Sequence, residues 1–214
     1  MSWRVAALLG GRGVPFRGEE RSAIAKTPLD GPVAIRKLGL DGDTQADPVH
    51  HGGPDMAVHH YPLDHHSHWR EEIGEHELLD DPGAFGSNLS VTGLTEDDVL
   101  LGDRFRLGTA LLEACQPRQP CWKIEHRFAR KGMVKTILAM GCSGWFYRVI
   151  EEGEAQAGNM LERAGRGDAD WSMRRMFEEL WGTSTPPDEG LLARLVEHEL
   201  LPEKLRAKIR QRIG

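Results

Sequence analysis

The chain has 214 residues, a formal net charge of −6 and a hydrophobic share of 39%. This length suits one domain with an appendage or two small domains, and the acidic balance disfavours nucleic acid as a partner, because a nucleic-acid site needs a basic face. No apolar run approaches the roughly 18 residues of a membrane span and no signal-peptide pattern stands at the N-terminus, so we expect a cytoplasmic protein with no membrane span.

Short apolar runs alternate with Gly, Pro and Asp along the first 165 residues, a pattern typical of a β-barrel or sandwich. The segment Phe105–Leu111 predicts a hairpin with Gly108 and Thr109 at its turn. Two helices interrupt the strands, one from Pro62 to His76 and one over Met133–Met140 that ends at Gly141. The predicted strands are Trp3–Leu9, Pro32–Leu38, Asn88–Val91, Phe105–Leu107, Ala110–Gln116 and Trp145–Ile150.

The chain becomes helical after residue 165, with segments at Asp170–Trp181 and Leu191–Leu200 and a last helix that begins at Pro202. Three short helices bury little by themselves, so we expect this unit to pack on the barrel. The sequence therefore predicts a mainly β fold with helices, with a β-barrel domain at 1–165 and a three-helix domain at 166–214. The last helix carries five basic residues between Lys204 and Arg212, and a solvated face is favoured over a binding site for them.

Charge and histidine are unevenly distributed. The net charge is +4 over residues 1–39, −14 over 40–103 and +4 over 104–214. The middle segment also holds eight of the ten histidines, which are His50, His51, His59, His60, His65, His66, His68 and His76. Imidazoles beside carboxylates are ligands of zinc, iron and manganese, so a hydrolytic metal site is one interpretation. No H-E-x-x-H motif occurs, and adjacent histidines on a strand would point to opposite faces.

Two further motifs carry chemistry. Gly10-Gly11-Arg12-Gly13 follows a predicted strand but matches neither G-x-G-x-x-G nor a Walker motif, and we interpret it as a turn. Cys121 lies in Pro117-Arg118-Gln119-Pro120-Cys121-Trp122-Lys123, on a rigid loop after a strand. Its positive neighbours favour a thiolate, which is both a nucleophile and a soft metal ligand, although an incidental surface cysteine is the alternative.

The other cysteines are interpreted differently. Three cysteines without a C-x-x-C pair argue against a disulfide framework or a zinc ribbon. Cys115 and Cys142 lie in apolar runs, and we predict that they are inert core residues.

Eight motifs in order resemble the molybdenum cofactor sulfurase C-terminal (MOSC) domain family, and in particular its bacterial branch associated with resistance to 6-N-hydroxylaminopurine. The resemblance covers about residues 1–165, and the helical tail is similar to the three-helix domain of that branch. The motifs are Ser22-Ala23-Ile24-Ala25-Lys26, Gly39-Leu40-Asp41-Gly42-Asp43, His51-Gly52-Gly53-Pro54-Asp55, His60-Tyr61-Pro62, Phe85-Gly86-Ser87-Asn88-Leu89, Gly93-Leu94-Thr95, Leu101-Gly102-Asp103 and Pro117–Lys123.

The resemblance implies a MOSC-type β-barrel that binds a molybdopterin-type molybdenum cofactor, with Cys121 as the ligand to molybdenum. An activated soft thiolate agrees with that role. We expect Lys26 and Arg118 to contact the anionic phosphate of the pterin, because two cations on separate loops can hold a dianion.

Three more residues match family motifs, and the resemblance implies that they lie near the pterin or the substrate. They are His51, Gly52 and Asn88. A proton for the reaction is expected from His51 or His60, because imidazole titrates near neutral pH.

The function that this resemblance implies is reduction of N-hydroxylated compounds, such as 6-N-hydroxylaminopurine and related base analogues, to the amine. No flavin, haem or iron–sulfur motif occurs, so electrons are expected from a separate flavin-containing reductase that docks on the acidic 40–103 segment or the basic tail. Two alternatives remain, a molybdenum cofactor carrier or sulfur-transfer module that turns over no substrate, and a histidine-based metallohydrolase.

Overall fold

The structure is a computed structural model and describes residues 1–45 and 52–214. Within these residues lie fourteen strands, six α-helices and two short 3-10 helices, Pro54–Met56 and Glu77–Asp80. The strands are β1 (Ser2–Arg4), β2 (Ala7–Gly10), β3 (Val14–Arg17), β4 (Glu20–Ser22), β5 (Thr27–Pro28), β6 (Val33–Arg36), β7 (Gly39–Leu40), β8 (Val58–His60), β9 (Leu89–Ser90), β10 (Arg104–Leu107), β11 (Ala110–Pro117), β12 (Trp145–Glu151), β13 (Gly153–Ala155) and β14 (Met160–Gly165). The helices are α1 (His65–Ile73), α2 (Lys123–Arg127), α3 (Met133–Met140), α4 (Met173–Trp181), α5 (Glu189–Val196) and α6 (Glu203–Ile213).

Nine strands form one mixed sheet that curls into a half-barrel, in the order β1-β14-β10-β11-β12-β8-β9-β2-β5. The curl follows from the chain itself. Strands β1 and β2 lie near opposite ends of this order, yet only Val5 and Ala6 separate them in sequence. The three peptide steps from Arg4 to Ala7 span at most about 11 Å, so the two edges of the sheet must approach each other. The predicted strand Trp3–Leu9 is therefore two strands, because the chain crosses from one edge to the other at its middle.

The hairpin predicted at Phe105–Leu111 is confirmed. Strands β10 and β11 pair antiparallel with Leu107 opposite Ala110, and Gly108 at the turn has φ 57°. A Cβ at Gly108 would lie 2.1 Å from the Glu154 carbonyl oxygen, so close backbone packing as well as the positive φ requires glycine there.

The predicted helices are present with shifted ends. Helix α1 begins at His65 rather than at Pro62, whereas α3 has the predicted bounds and ends at Gly141 with φ 69°. Helix α4 begins after Ser172, whose side chain accepts a hydrogen bond from the Arg175 amide. The N-cap side chain satisfies a donor that the first turn leaves without a partner.

The helical tail packs on the half-barrel, as expected. Met176, Leu195 and Leu205 belong to the same buried cluster as Phe105 and Leu112 of the sheet. A shared core means that the tail stabilises the sheet and is stabilised by it. The division into domains at residue 165 stays a prediction.

Two of the five basic residues of α6 have structural roles. The Arg206 guanidinium donates to the carbonyl oxygens of Val196, His198 and Leu201, and that of Arg212 donates to the Leu180 carbonyl oxygen at 2.6 Å. The Val196 and Leu180 carbonyls lie in the last turns of α5 and α4, where helices lack internal partners, and those of His198 and Leu201 lie in the segment after α5. In the part of the chain that the structure describes, no helix is long and apolar enough to cross a membrane.

A second buried cluster, rich in aromatic residues, includes Trp69 of α1 and supports one side of the site. The Tyr61 and Phe85 rings stack with centroids 4.3 Å apart, and the Trp69 indole donates to the Tyr61 hydroxyl at 2.8 Å. Ile124 of α2 belongs to the same cluster. The cluster thus fixes both the Phe85-Gly86-Ser87-Asn88 segment and the start of α2. Residues of both segments line the cavity that is described below.

Candidate functional site

A cavity of about 120 Å³ opens where the β8–β9 region meets the loops after β4, β7 and β11. Four of the seven residues predicted to bind a cofactor or act in catalysis line it, namely Lys26, Asn88, Arg118 and Cys121. Lys26 and Cys121 are 95 positions apart in the sequence, so the fold, and not proximity along the chain, brings these residues together.

The Asp43 carboxylate organises one wall of the cavity. It accepts hydrogen bonds from the Lys26 ammonium group, from Asn88 Nδ2 at 2.7 Å and from the Gly11 amide at 2.8 Å. Burial lowers the pKa of Lys26, and the charge and hydrogen bond of Asp43 oppose that shift. Lys26 and Asn88 are therefore held in place by a residue that the sequence analysis placed in a family motif but did not include among the site residues.

Arg118 supplies a buried donor that has no acceptor. Its amide donates to the Gly144 carbonyl oxygen at 3.0 Å, its side chain is almost fully buried, and Nη1 has no hydrogen-bond partner among the described residues. Burial lowers the pKa of the guanidinium, and the neighbouring Cys121 and Tyr61 act to raise it. Since buried donors are nearly always bonded, this one is available to an acceptor that enters the cavity.

The Arg118 backbone is positioned through the buried carboxylate of Glu96. Glu96 accepts from His65 Nε2 at 2.8 Å and from the Gly144 amide at 2.7 Å. Burial acts to raise the pKa of Glu96, but the hydrogen bond and charge of His65 hold it below its usual value. Glu96 thus fixes Gly144, and Gly144 in turn holds Arg118.

Cys121 is half-buried and precedes α2 on the cavity wall. The other two cysteines are buried in the core, as predicted, and burial raises the pKa of the Cys115 and Cys142 thiols to about 12. Neither belongs to the lining of the cavity. Position therefore distinguishes Cys121 as the thiol that a ligand in the cavity can meet.

The histidine doublet of β8 is divided between two environments. The His59 ring lines the cavity, with Nδ1 3.3 Å from the Gly86 carbonyl oxygen and Nε2 3.4 Å from that of Ser143. Burial and the charge of Arg118 hold the pKa of His59 well below its usual value. His59 is thus a neutral imidazole on the cavity wall, and the sequence analysis gave it no role.

His60, one of the two predicted proton donors, does not reach the cavity. Its ring lies 4.2 Å from the Trp145 ring, its Nδ1 is 3.1 Å from the Tyr147 hydroxyl, and burial lowers its pKa to about 3. Side chains alternate along a strand, so His59 and His60 must face opposite sides. Alternation was recognised in the sequence, but only the fold shows which histidine faces the cavity.

The remaining predicted residues are placed as follows. His51 lies outside the described residues, and so does His50. Gly52 is buried and is not among the residues that line the cavity. Within 1–45 and 52–214, no three His, Cys, Asp or Glu side chains are grouped so that they could hold a metal ion. The histidines of α1 instead bond to protein groups, for example His66 Nδ1 to the Leu79 carbonyl oxygen at 2.9 Å.

The cavity residues fit a molybdopterin-type cofactor in their chemistry. Cys121 offers a soft sulfur ligand, and the unpartnered Nη1 of Arg118 offers a donor to an anionic oxygen. Lys123 of α2 adds a further cation to the lining. A thiol and a buried guanidinium on one cavity suit a metal that is bound to an anionic carrier.

The sequence of the chain is similar to a domain family and to several known proteins. The family model described as MOSC domain matches residues 47–162. The chain is 44% identical over 145 residues to Protein YiiM of Escherichia coli (strain K12) and 44% identical over 147 residues to Uncharacterized protein YflK of Bacillus subtilis (strain 168). These matches cover 68% and 69% of this chain, and 65% of each relative's length. A protein named Reductase from Gibberella moniliformis (strain M3125 / FGSC 7600) is 38% identical over 157 residues, which cover 73% of this chain and 28% of that protein.

Two solved structures extend the similarity to the tail. YiiM from Geobacillus stearothermophilus has a TM-score of 0.83 and 30% identity, with 99% of this chain and 100% of that chain covered. YiiM from Escherichia coli has a TM-score of 0.81 and 31% identity, with 100% and 92% covered. The likeness therefore includes the helical tail as well as the half-barrel.

Proposed function

Because the chain belongs to the MOSC domain family, we propose that it is a molybdenum-cofactor-dependent reductase of N-hydroxylated compounds, with 6-N-hydroxylaminopurine and related base analogues as the substrate class. A relative that bears the name Reductase supports an oxidoreductase role. The observation that carries the proposal is the pairing of Cys121 with the unsatisfied guanidinium of Arg118 on one cavity.

Different residues of the protein would bind the metal and the phosphate of the cofactor. Cys121 would hold the metal, and Arg118 would donate to the phosphate of the pterin. Lys26, which Asp43 holds in place, adds a further cation to the lining of the same cavity. When bound, the cofactor supplies two-electron redox chemistry that protein side chains do not provide.

The reaction consumes protons as well as electrons. A hydroxylamine R–NHOH takes up two electrons and two protons and gives R–NH2 and water. We assign a proton-handling role to His59, because it is the described imidazole on the cavity wall. An anionic ligand beside His59 would raise its pKa, since a nearby negative charge favours the imidazolium. Ligand binding would then favour protonation of His59, and the imidazolium could supply a proton to the reaction.

Electrons would come from a separate flavin-containing reductase. In the basic tail, Arg206 and Arg212 already donate to backbone carbonyl oxygens of this chain, so fewer of their donors are available to a partner. The acidic 40–103 segment is the docking surface that we favour. Lys208→Glu on exposed α6 is then expected to leave electron transfer from the donor unchanged, whereas slower transfer would point to the tail.

The test is elemental analysis with pterin fluorescence on protein from a host that makes the cofactor. Molybdenum and pterin are expected near one per chain in the wild type and in Cys142→Ala, which removes a buried thiol away from the cavity. Cys121→Ala is expected to lose the molybdenum signal. Zinc or iron at one per chain in all three proteins, without molybdenum, would refute the assignment of Cys121.

Reduction of 6-N-hydroxylaminopurine with an artificial electron donor is the second part of the test. Loaded wild type is expected to form the amine, and Cys121→Ala is not. Protein that holds molybdenum and pterin but never reduces the substrate would indicate a cofactor carrier or sulfur-transfer module instead.

A further inference from the structure

A second depression of about 510 Å³ adjoins the cavity and shares Asp43, Thr44 and Gln45 with its lining. Its other lining residues are Arg12, Gly13, Arg21 and Gly42. The two guanidiniums come from the Gly10-Gly11-Arg12-Gly13 segment and from β4, and the proposed function uses neither of them. A ligand in the cavity that extends past Asp43 and Thr44 would enter this depression.

Backbone contacts fix Arg12 at the depression. The Gly11 amide donates to Asp43 Oδ1 at 2.8 Å, and the Thr44 amide donates to the Gly11 carbonyl oxygen at 2.8 Å. A Cβ at Gly11 would lie 2.6 Å from the Ala23 carbonyl oxygen, so only glycine allows this approach. The Arg21 guanidinium in turn donates to the Gly13 carbonyl oxygen. Both arginines are therefore anchored to the same short segment.

The charges around the two spaces exceed what one phosphate needs. Five cationic side chains line the cavity and the depression, whereas Asp43 is the one carboxylate among their described lining residues. Asp43 is paired with Lys26, and within the described part of the chain no ion pair engages the other four cations, which are Arg12, Arg21, Arg118 and Lys123. A single phosphate dianion at Arg118 and Lys123 leaves two guanidiniums for a second anionic group. Guanidiniums match phosphate oxygens because they present paired donors.

We propose that Arg12 and Arg21 form a phosphoryl-binding subsite for the 5′-phosphate of the substrate, so that the preferred substrates are N-hydroxylated purine nucleotides rather than free bases. This inference rests on the proposed function. The base would reach the reacting end of the cavity at Cys121, and the ribose would pass Asp43 and Thr44. A phosphate of a nucleotide form of the cofactor has the same chemistry, and the experiment separates the two sources.

Binding is measured first by calorimetry with AMP and adenosine, on cofactor-loaded protein and on protein without cofactor. Wild type is expected to bind AMP at least about tenfold more tightly than adenosine, because hydrogen bonds to charged groups are the stronger ones. Arg12→Gln/Arg21→Gln is expected to remove that preference. Arg4→Gln, an exposed arginine beside a different surface depression, is the matched control and should keep it.

The cofactor-free protein makes the binding test independent of turnover. There the AMP preference should survive in Arg118→Gln and disappear in Arg12→Gln/Arg21→Gln. Equal affinity of wild type for AMP and adenosine, or loss of the preference in Arg118→Gln alone, would overturn the inference even if the reductase function holds.

Turnover and cofactor content identify the source of the phosphate. With loaded protein, Arg12→Gln/Arg21→Gln is expected to raise KM about tenfold or more for the nucleotide of 6-N-hydroxylaminopurine, with KM for the free base unchanged and molybdenum and pterin at the wild-type level. Loss of molybdenum and pterin in this variant would assign the subsite to the cofactor and overturn the substrate proposal. If no form of the substrate is reduced by loaded wild type, the proposed function fails, and the AMP titrations still decide whether the subsite exists.

Discussion

Acid should destabilise this protein through His60, and the size of the effect follows from the structure. The ring is fully buried against Trp145, its Nε2 has no hydrogen-bond partner among the described residues, and burial lowers its pKa to about 3. In the unfolded chain a histidine has a pKa of about 6.5. Between these two values the unfolded state binds one more proton than the folded state, so stability falls as the pH falls from 6.5 toward 3.

The magnitude can be worked from these two pKa values. Each pH unit in the window costs about 1.4 kcal/mol per proton, so the loss between pH 7.5 and pH 5.0 is about 2 kcal/mol from His60 alone. That is a large part of the 5–15 kcal/mol or so by which folded proteins are stable. Other titrating groups contribute too, so the test needs variants that differ only in this ring.

The variant His60→Phe/Tyr147→Phe replaces both partners of one buried hydrogen bond with apolar rings, which avoids a hydroxyl without a partner. Tyr147→Phe, which keeps the imidazole, is the control. Urea unfolding at several pH values should show that the double variant loses about 2 kcal/mol less than the control between pH 7.5 and pH 5.0. Equal losses would show that His60 does not stay neutral in the folded protein, and the reasoning from its burial would be wrong.

Three further predictions concern stability, each measured by urea unfolding at pH 7. Ser172→Ala should cost about 1 kcal/mol, because the first turn of α4 loses its cap, and Ser172→Asp should restore it. Gly86→Ala should cost about 1–2 kcal/mol or more, because φ is 75° and the new Cβ would lie 2.8 Å from Ile24 Cγ1; wild-type stability would contradict the described turn. Glu96→Ala should cost about 3 kcal/mol, since it breaks a buried pair with His65 and leaves the Gly144 amide without a partner, and a loss below about 1 kcal/mol would refute this.

Elements with local signals could be predicted from the sequence. The glycine at 141 ends α3 at the predicted residue, and the Gly108 turn fixes the β10–β11 hairpin. Helix α2 was missed because five residues after a proline-flanked cysteine show no helical period. The β3–β4 hairpin was missed because its side chains are mostly exposed, so no alternation of apolar and polar residues marks it.

The site could be predicted only in part, and strand β8 shows why. Alternation requires that His59 and His60 face opposite sides, yet it does not say which side is the cavity. That depends on the partners of β8, which are β12 on one side and β9 on the other. The role of Asp43 could not be predicted for a similar reason. Its carboxylate accepts hydrogen bonds from Gly11, Lys26 and Asn88, and no local sequence pattern relates these positions.

The charge distribution explains how an acidic chain can hold a basic site. The two segments with net charge +4 supply all five cations of the cavity and the depression, and the segment with net charge −14 supplies Asp43 and His59. Folding places the basic segments together because β2 pairs with β9, which is the neighbour of β8, and the segment after β11 lines the same cavity. An anionic ligand is therefore attracted by short-range bonds at the site and not by the overall charge of −6, whose field salt screens beyond about 10 Å. Net charge alone would therefore argue against the anionic ligands that we propose for this site.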